Sequence, residues 1–392
     1  MTKTALLIVE PDFLTTHVGV RRVILFYWSQ LARQGFEVML ATPSEGRLLL
    51  GSAASLEKIM RSLEHRRSDA PYWRSDKNGS EFPAGTETPR RQTIRWTDEV
   101  VALSDFTVSI VTNPWLCERG LPDAPFTAGI VYDMVPNLLA CGALNLGSVI
   151  DIYAFAHAHD VGYQTYLKRA QSILCISDSA RADFSEFYRL SAGDRQRIKT
   201  LIPFDPSIEA RVKARPIAPG ERPRALLVNV LDPRKNFAGV RETLAIAMRT
   251  GPVFDIDVVG RERMPFPAVR RFLMDLGAAG STVRWYRSAS DACLHRLYSD
   301  ADLLLFPSLY EGLGLPILEA QAHGVPVVSS NSSSCGEVNM NPSLALDPFD
   351  FQGLASASRA LLDGQGDHLN GVALRSRQAE WLSTRNRLPG SW

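Results

Sequence analysis

Short apolar runs alternate along this chain with longer segments in which apolar and polar residues mix. Near the start, residues 5–9 predict a strand, residues 21–34 predict a helix that ends at Gly35, and residues 36–42 predict a second strand. Continuous apolar strands are typical of a parallel sheet that is buried on both faces. These elements therefore predict a β-α-β unit.

The alternation continues in two series. The first predicts strands at residues 106–112, 126–132 and 172–177 and a helix at 149–169. The second predicts strands at residues 225–230, 254–259, 283–286, 303–306 and 325–329, and helices at 237–249, at 292–299 and from Pro316. Five prolines lie between residues 203 and 223, where the two series are separated.

The predicted fold class is therefore α/β, with two Rossmann-like, doubly wound parallel-sheet domains that face each other across a cleft. The predicted boundaries are residues 1–205 for an acceptor-binding domain, 206–223 for a linker, 224–380 for a nucleotide-sugar-binding domain and 381–392 for a tail that returns toward the first domain. Ligands of such sheets bind at the carboxyl ends of the strands, so the cleft is the expected site.

Composition excludes several classes of protein. Of 392 residues, 45% are hydrophobic and 22% are charged, as in ordinary globular proteins, and a net charge of +1 argues against nucleic-acid binding. The five scattered cysteines argue against a disulfide framework or a structural zinc site and favour a reducing compartment. No apolar run is long enough for a transmembrane helix, and the run at 5–9 is too short for a signal peptide. We therefore expect a cytoplasmic protein.

An insertion at residues 61–96 is rich in arginine and also contains tryptophan. It could dock on an anionic membrane at the inner face of the cytoplasmic membrane, where lipid-linked acceptors lie, or it could be a solvated loop. A second segment, His157-Ala-His159-Asp160, suggests a metal site. Residues two apart on a helix do not share a face, so ordinary helix surface is the better interpretation there.

Two glutamates stand in an unusually apolar stretch. Residues 306–330 read FPSLYEGLGLPILEAQAHGVPVVSS, with Glu311 in a loop after a predicted strand and Glu319 one turn into the next helix. The helix N-terminus suits an anion, and Gly312 and Gly314 let a ligand approach the backbone. Carboxylates accept hydrogen bonds from vicinal hydroxyls, so this arrangement predicts a nucleotide-sugar site. The alternative is a solvated loop glutamate and a first-turn glutamate that favours the helix dipole.

The stretch resembles the E-x7-E signature of retaining GT-B glycosyltransferases, family 4 (glycosyl transferases group 1). The neighbouring segments HRLYSDADLLLFPSLYEG (295–312), HGVPVVSSNSSSCGEV (323–338) and NVLDPRKN (229–236) are also similar to this family. In the first half of the chain, the short segments GVRR (19–22), VYDMVP (131–136) and CISDSAR (175–181) match family patterns in the expected order.

The resemblance implies roles for residues of the second domain. Glu311 would contact the transferred sugar, Glu319 the nucleotide ribose, and Arg234 with Lys235 the pyrophosphate. Asn229 stands where some members carry a further arginine, and Arg261 is a candidate substitute. The remaining donor-binding candidates lie in the loop between the glutamates: Gly312, Leu313, Gly314 and Leu315.

The first domain supplies four further candidates. Gly19 matches the loop that approaches the donor phosphates, with Arg22 as a basic position beside it. Tyr132-Asp133 stands where many members have His-Asp. Asp133 would contact acceptor or transferred sugar, or it is a plain turn residue, and Tyr132 is a candidate acceptor contact.

The implied function is retaining transfer of a hexose from a nucleotide diphosphate sugar to a glycan or lipid-linked (undecaprenyl-linked) saccharide in cell-surface polysaccharide or O-antigen synthesis. GDP-mannose is the expected donor, with a UDP-sugar left open, and no metal cofactor is expected. The alternatives are a sugar-nucleotide epimerase of the same fold, a glycoside hydrolase or a non-catalytic glycan-binding partner. A nicotinamide dehydrogenase is disfavoured because no G-x-G-x-x-G follows either first strand.

Overall fold

The computed structural model describes residues 3–13, 18–51, 70–75, 96–144, 152–206, 221–365 and 370–388. Their strands form two sheets, of eight and seven strands, with helices packed against both. The predicted α/β class with two sheets is confirmed. Residues 207–220, which make up most of the predicted linker, lie outside the described residues.

The first sheet has the order β5-β3-β2-β1-β6-β7-β8-β9. Its strands are β1 (Lys3–Ile8), β2 (Phe36–Ser44), β3 (Arg47–Gly51), β5 (Trp96–Val101), β6 (Val108–Val111), β7 (Phe126–Val131), β8 (Ala170–Cys175) and β9 (Ile198–Thr200). The six strands from β2 to β9 in this order are parallel, whereas β3 and β5 form an antiparallel edge that the sequence reading missed.

Five described helices accompany this sheet: α1 (Val18–Arg33), α2 (Val135–Ala140), α3 (Ile152–Arg169), α4 (Asp178–Phe187) and α5 (Ala192–Gln196). Helix α1 begins three residues earlier than predicted. Gly19 therefore lies in its first turn and not in the preceding loop.

The second sheet has the order β15-β14-β13-β10-β11-β12-β4 and is parallel except at β4. Its strands are β4 (Trp73–Arg74), β10 (Arg224–Val228), β11 (Asp255–Val259), β12 (Val283–Tyr286), β13 (Leu303–Phe306), β14 (Val327–Ser330) and β15 (Ala345–Leu346). The described helices of this half are α6 (Phe237–Arg249), α7 (Phe266–Ala278), α8 (Asp291–Asp300), α9 (Leu315–Ala322), α10 (Ser334–Val338), α11 (Phe351–Leu362) and α12 (Gly371–Ser383).

Strand β4 comes from the Arg/Trp-rich insertion, yet it pairs with the second sheet. The Tyr72 amide donates to the Trp285 carbonyl at 2.7 Å, and the Trp73 side chain is buried in the core of the second sheet. The outer edge of β12 would otherwise present unpaired backbone N–H and C=O groups. Strand β4 pairs with this edge and at the same time buries the Trp73 indole. The arginines at 66, 67, 90 and 91, on which the predicted membrane contact depends, lie outside the described residues.

The chain end returns to the first sheet. The Ile202 amide donates to the Arg385 carbonyl at 2.7 Å, and Leu388 is buried. One apolar cluster contains residues of both halves, among them Ile24 of α1 and Leu318 of α9. The two domains therefore lie in direct contact. Among the described residues, no helix is long and apolar enough to cross a membrane.

Candidate functional site

Lys235 and Glu311 meet at the carboxyl ends of two neighbouring strands. Lys235 closes a short 3-10 helix, Pro233–Lys235, after β10, and Glu311 follows β13. The Lys235 ammonium is ion-paired with the Glu311 carboxylate, and the two side chains are 18% and 11% exposed. Because β10 and β13 are adjacent and parallel, their loops emerge at one edge. The fold thus brings together two residues that are 76 positions apart.

Arg234 is fixed by its own loop. Its guanidinium donates to the Asp232 carboxylate at 2.9 Å, and its carbonyl accepts from the Leu309 amide at 3.1 Å. Burial works to lower the pKa of Arg234, but the hydrogen bond and charge of Asp232, with the charges of Glu311 and Asp133, raise it overall. Arg234 therefore stays charged next to the Lys235–Glu311 pair.

Glu319 is almost completely buried on α9, at 2% exposure. Its carboxylate accepts from the Tyr298 hydroxyl at 2.6 Å and is ion-paired with Arg22 of α1. Arg22 also lies 3.8 Å from the Asp291 carboxylate at the start of α8. The predicted ribose contact and the predicted phosphate contact of the first domain are thus direct neighbours.

The loop at Gly312 touches the first domain. The Ser177 hydroxyl donates to the Gly312 carbonyl at 2.6 Å, and a Cβ on Gly312 would lie 2.3 Å from the Tyr132 carbonyl oxygen. The Tyr310 hydroxyl donates to the Asp183 carboxylate of α4. Position 312 requires glycine because the backbone of the other domain approaches it closely. The sequence analysis had instead explained this glycine by the approach of a ligand.

A carboxylate of the second domain covers the N-terminus of α4. Glu337 accepts from the amides of Asp178 and Ser179 at 3.0 and 2.9 Å. Burial raises the pKa of Glu337 against these two hydrogen bonds. The sequence analysis did not predict this contact. Glu337 lies near the end of the segment HGVPVVSSNSSSCGEV (323–338).

Tyr132 and Asp133 follow β7 at the cleft. The Asp133 carboxylate accepts from the Val135 amide at 3.0 Å, which is the turn role that the sequence left open. The Tyr132 hydroxyl is buried and has no hydrogen-bond partner among the described residues. Burial and the nearby charge of Glu10 raise its pKa.

The remaining predicted donor residues lie after strands β10 and β11 and in or directly before the first turns of α1 and α9. Asn229, at φ +57°, and Arg261 are both exposed after β10 and β11, and no ion pair holds Arg261 within the part of the chain that the structure describes. Leu313 is buried, and Gly314, at φ +81°, caps α9 ahead of Leu315. Gly19 faces open space, since a Cβ there would meet nothing within 4 Å.

The His157–Asp160 segment does not form a metal site. His157 is exposed near Glu118, the buried His159 donates to the Phe155 carbonyl at 2.8 Å, and Asp160 accepts from Tyr188. Across the described ranges, no three His, Cys, Asp or Glu side chains converge to hold a metal ion.

Comparison with known proteins places this geometry in context. Residues 209–378 match the family model described as glycosyl transferases group 1. The chain is 28% identical over 195 residues to O-antigen chain mannosyltransferase B of Escherichia coli, covering 48% of this chain and 51% of that protein. It thus spans about half the length of that relative.

A second relative aligns over more of its length. The GDP-mannose-dependent alpha-(1-6)-phosphatidylinositol monomannoside mannosyltransferase of Mycobacterium tuberculosis is 24% identical over 347 residues, which cover 81% of this chain and 85% of that protein. Among solved structures, sucrose-phosphate synthase from Thermosynechococcus elongatus superposes with a TM-score of 0.60 at 14% identity, over 98% of this chain and 95% of that chain. The predicted GT-B architecture is confirmed.

Proposed function

We propose that the protein is a retaining glycosyltransferase that moves a hexose from a nucleotide diphosphate sugar to a saccharide acceptor, since residues 209–378 match the family model described as glycosyl transferases group 1. One observation carries the proposal. Lys235, Arg234 and Glu311 gather at the carboxyl ends of β10 and β13, and Glu319 follows on the helix that the Glu311 loop enters.

Each of these side chains has a chemical task. Glu319 binds the ribose hydroxyls, and Lys235 with Arg234 binds the diphosphate. Breaking the bond between sugar and phosphate develops negative charge on the leaving group, and two fixed cations beside the N-terminus of α9 stabilise that charge. Glu311 accepts hydrogen bonds from the transferred sugar.

The anomeric configuration is retained because the acceptor hydroxyl attacks the sugar on the same face that the diphosphate leaves. The reaction passes through an oxocarbenium-like state. In this route the leaving phosphate oxygen takes the proton of the acceptor hydroxyl, and the protein contributes positioning and charge. We assign no protein nucleophile. Arg234 and Lys235 take the place of a metal ion, so the reaction needs no metal cofactor.

GDP-mannose is the proposed donor and a cell-surface polysaccharide, such as an O-antigen chain, the proposed product. Support comes from the two mannosyltransferase relatives, one of which is named for its dependence on GDP-mannose. The acceptor would be a glycan, free or lipid-linked, that reaches the enzyme at the membrane surface.

The experiment is a donor panel. The purified protein is titrated with GDP, UDP and ADP by calorimetry, and then assayed with GDP-mannose and UDP-sugars with and without mannosides as acceptors. We expect GDP to bind most tightly and transfer to require an acceptor, with the anomeric product read by NMR.

Other results would contradict the proposal in distinguishable ways. Conversion of the donor sugar without an acceptor would indicate an epimerase. Hydrolysis of aryl glycosides would indicate a glycoside hydrolase. Glycan binding without nucleotide binding would indicate a non-catalytic partner.

A further inference from the structure

Glu319 belongs to a buried cluster in which two residues of α8 face two residues at the end of α9. His295 and Tyr298 lie on α8. Glu319 lies on α9, and His323 directly follows that helix. Residues three or four positions apart share one face of a helix, so the two pairs can meet side by side. We call these four residues the α8-α9 cluster.

The contacts within the α8-α9 cluster are close. The Tyr298 hydroxyl donates to Glu319 Oε2 at 2.6 Å, and His295 Nδ1 lies 3.2 Å from His323 Nε2. Tyr298, Glu319 and His323 are 1%, 2% and 0% exposed. Tyr298 is therefore shielded from solvent and lies directly against the carboxylate to which the proposed function assigns the ribose.

The two oxygens of the Glu319 carboxylate have partners in different domains. Oε2 accepts from Tyr298, which belongs to the same domain as Glu319. Oε1 is ion-paired with Arg22 of α1, in the other domain. A contact within one domain persists when the domains part or when a ligand takes the place of Arg22. The Oε1 contact is thus the exchangeable one, and the Oε2 contact is fixed.

Tyr298 is itself held in one orientation. Its ring stacks on the His323 ring, with 5.3 Å between centroids and 25° between planes. The His323 ring donates through Nδ1 to the Glu319 carbonyl at 2.8 Å. Burial, with the charges of His295 and Arg375, lowers the pKa of His323 to about 4, so this ring is neutral and its Nε2 accepts from His295. Packing and hydrogen bonds of this kind fix the rotamer of a supporting side chain.

A carboxylate that is already ordered binds a ligand better than a mobile one. When a ligand has to order a glutamate side chain, the lost rotamer freedom is subtracted from the binding free energy. With Oε2 held by Tyr298, Glu319 presents Oε1 in a fixed direction before any nucleotide arrives. The hydroxyl of a tyrosine that never touches the ligand can in this way raise the affinity for the ligand.

We propose that Tyr298 is a positioning residue for the nucleotide, which holds Glu319 Oε2 so that Oε1 meets the ribose hydroxyls once Arg22 has moved. This inference rests on the proposed function and deepens it. Because Tyr298 acts through Glu319, it contributes to the recognition of the ribose hydroxyls and of no other part of the nucleotide. The ribose does not react, so the contact is equally strong in the ground state and in the transition state. Tyr298 therefore affects the KM for the donor and not kcat.

The test compares two nucleotides on the full chain. GDP and 2′,3′-dideoxy-GDP are titrated by calorimetry into the native protein and into Tyr298→Phe. We expect the variant to bind GDP about 3- to 10-fold more weakly, the effect of leaving one long side chain to be ordered by the ligand. Its affinity for the dideoxy nucleotide should equal that of the native protein. A general loss of packing would weaken both nucleotides, and thermal unfolding shows that the variant is folded at the assay temperature.

Two further comparisons test the route through Glu319. Adding Tyr298→Phe to Glu319→Ala should not weaken GDP binding further, because the group on which Tyr298 acts is gone. Tyr166→Phe is the matched control: Tyr166 is fully buried in the first domain, and its hydroxyl donates to the Val111 carbonyl at 3.2 Å. This control should leave both affinities unchanged. In transfer assays, Tyr298→Phe should raise the KM for the donor by the same factor as the Kd for GDP and leave kcat unchanged.

The outcomes separate this inference from the proposed function. The role of Tyr298 is refuted if Glu319→Ala weakens GDP binding and Tyr298→Phe does not, or if Tyr298→Phe weakens both nucleotides equally. It is also refuted if Tyr298→Phe keeps its full effect in the Glu319→Ala protein. UDP and its dideoxy analogue replace the guanine nucleotides if the native chain prefers UDP. If the native chain binds neither nucleotide, or if Glu319→Ala has no effect, the donor site of the proposed function fails and this inference fails with it.

Discussion

The Arg22 guanidinium and the Glu319 carboxylate form an ion pair that joins the two domains of this protein. Arg22 lies in the second turn of α1, and Glu319 is buried on α9, where Tyr298 also donates to it. In the proposed function, a nucleotide needs both groups, one for its phosphates and one for its ribose. Donor binding therefore has to replace this pair by contacts to the nucleotide.

Glu319→Ala is expected to weaken nucleotide binding. Hydrogen bonds to a charged group contribute about 1.5–3 kcal/mol, so affinity for GDP should fall by about 10- to 100-fold. Calorimetric titration measures the change, with Glu380→Ala on the exposed face of α12 as the control. Unchanged affinity would remove Glu319 from the donor site.

Lys235→Ala is expected to slow transfer far more than it destabilises the fold. Removing a fixed positive charge from a leaving group costs about 10²–10³ in kcat. Initial rates at saturating donor measure this, and Lys199→Ala on the exposed face of β9 provides the comparison. If both variants kept native rates, Lys235 would have no role in stabilising the diphosphate.

Gly312→Ala is expected to impair closure of the cleft. The added Cβ would lie 2.3 Å from the Tyr132 carbonyl oxygen, and backbone atoms cannot move away as a flexible side chain can. Overpacking of this kind costs about 1–3 kcal/mol, so kcat should fall by about 5- to 100-fold.

Solution scattering and kinetics test this together. The variant should have a larger radius of gyration than the native chain in the presence of GDP. Gly193→Ala is the matched control, because the nearest neighbour of a Cβ at that position would be the Ser191 hydroxyl oxygen at 3.8 Å. A compact, fully active Gly312→Ala protein would contradict the importance of this contact.

Chelation of divalent cations is expected to leave transfer intact. In the proposed function, Arg234 and Lys235 supply the charge that a metal would otherwise bring to the diphosphate. Rates in EDTA should stay within about twofold of rates in Mg²⁺ or Mn²⁺. Activity that is abolished by EDTA and restored by metal would refute this account.

Stability is expected to fall in acid because of His323. Burial, with the charges of His295 and Arg375, lowers the pKa of His323 from 6.5 to about 4, and its ring donates to the Glu319 carbonyl at 2.8 Å. The unfolded chain therefore binds a proton more readily than the folded chain between these values. The contribution of neutral His323 to the free energy of unfolding is complete above pH 6.5. It is lost as the pH falls toward 4, and the loss is at most about 3 kcal/mol.

Chemical denaturation at several pH values measures this slope. His323→Gln should flatten it, whereas His157→Gln should not, because the His157 side chain is 73% exposed. An unchanged slope in His323→Gln would assign the acid sensitivity to other groups.

Local pattern was enough to predict several buried strands and the loop that leads into α9. The predicted helix at 237–249 and the predicted strands at 283–286 and 303–306 agree with the structure residue for residue. Apolar runs and helix caps depend on residues that are neighbours in the sequence, so local pattern is enough to predict them. The spacing of Glu311, Pro316 and Glu319 likewise indicated a loop that enters a helix.

Only the tertiary structure decided which distant residues meet. Nothing local marks Trp73 as part of a strand that pairs with β12, or Glu337 as the carboxylate that accepts from the first amides of α4. These contacts depend on how strands are ordered and how the two domains are placed, which is set by burial over the whole chain. The sequence by itself determined the secondary-structure elements and the loop with Glu311 that leads into α9. The tertiary structure decided which distant residues meet, because hydrophobic burial is non-directional and only the assembled fold fixes which polar groups it brings together.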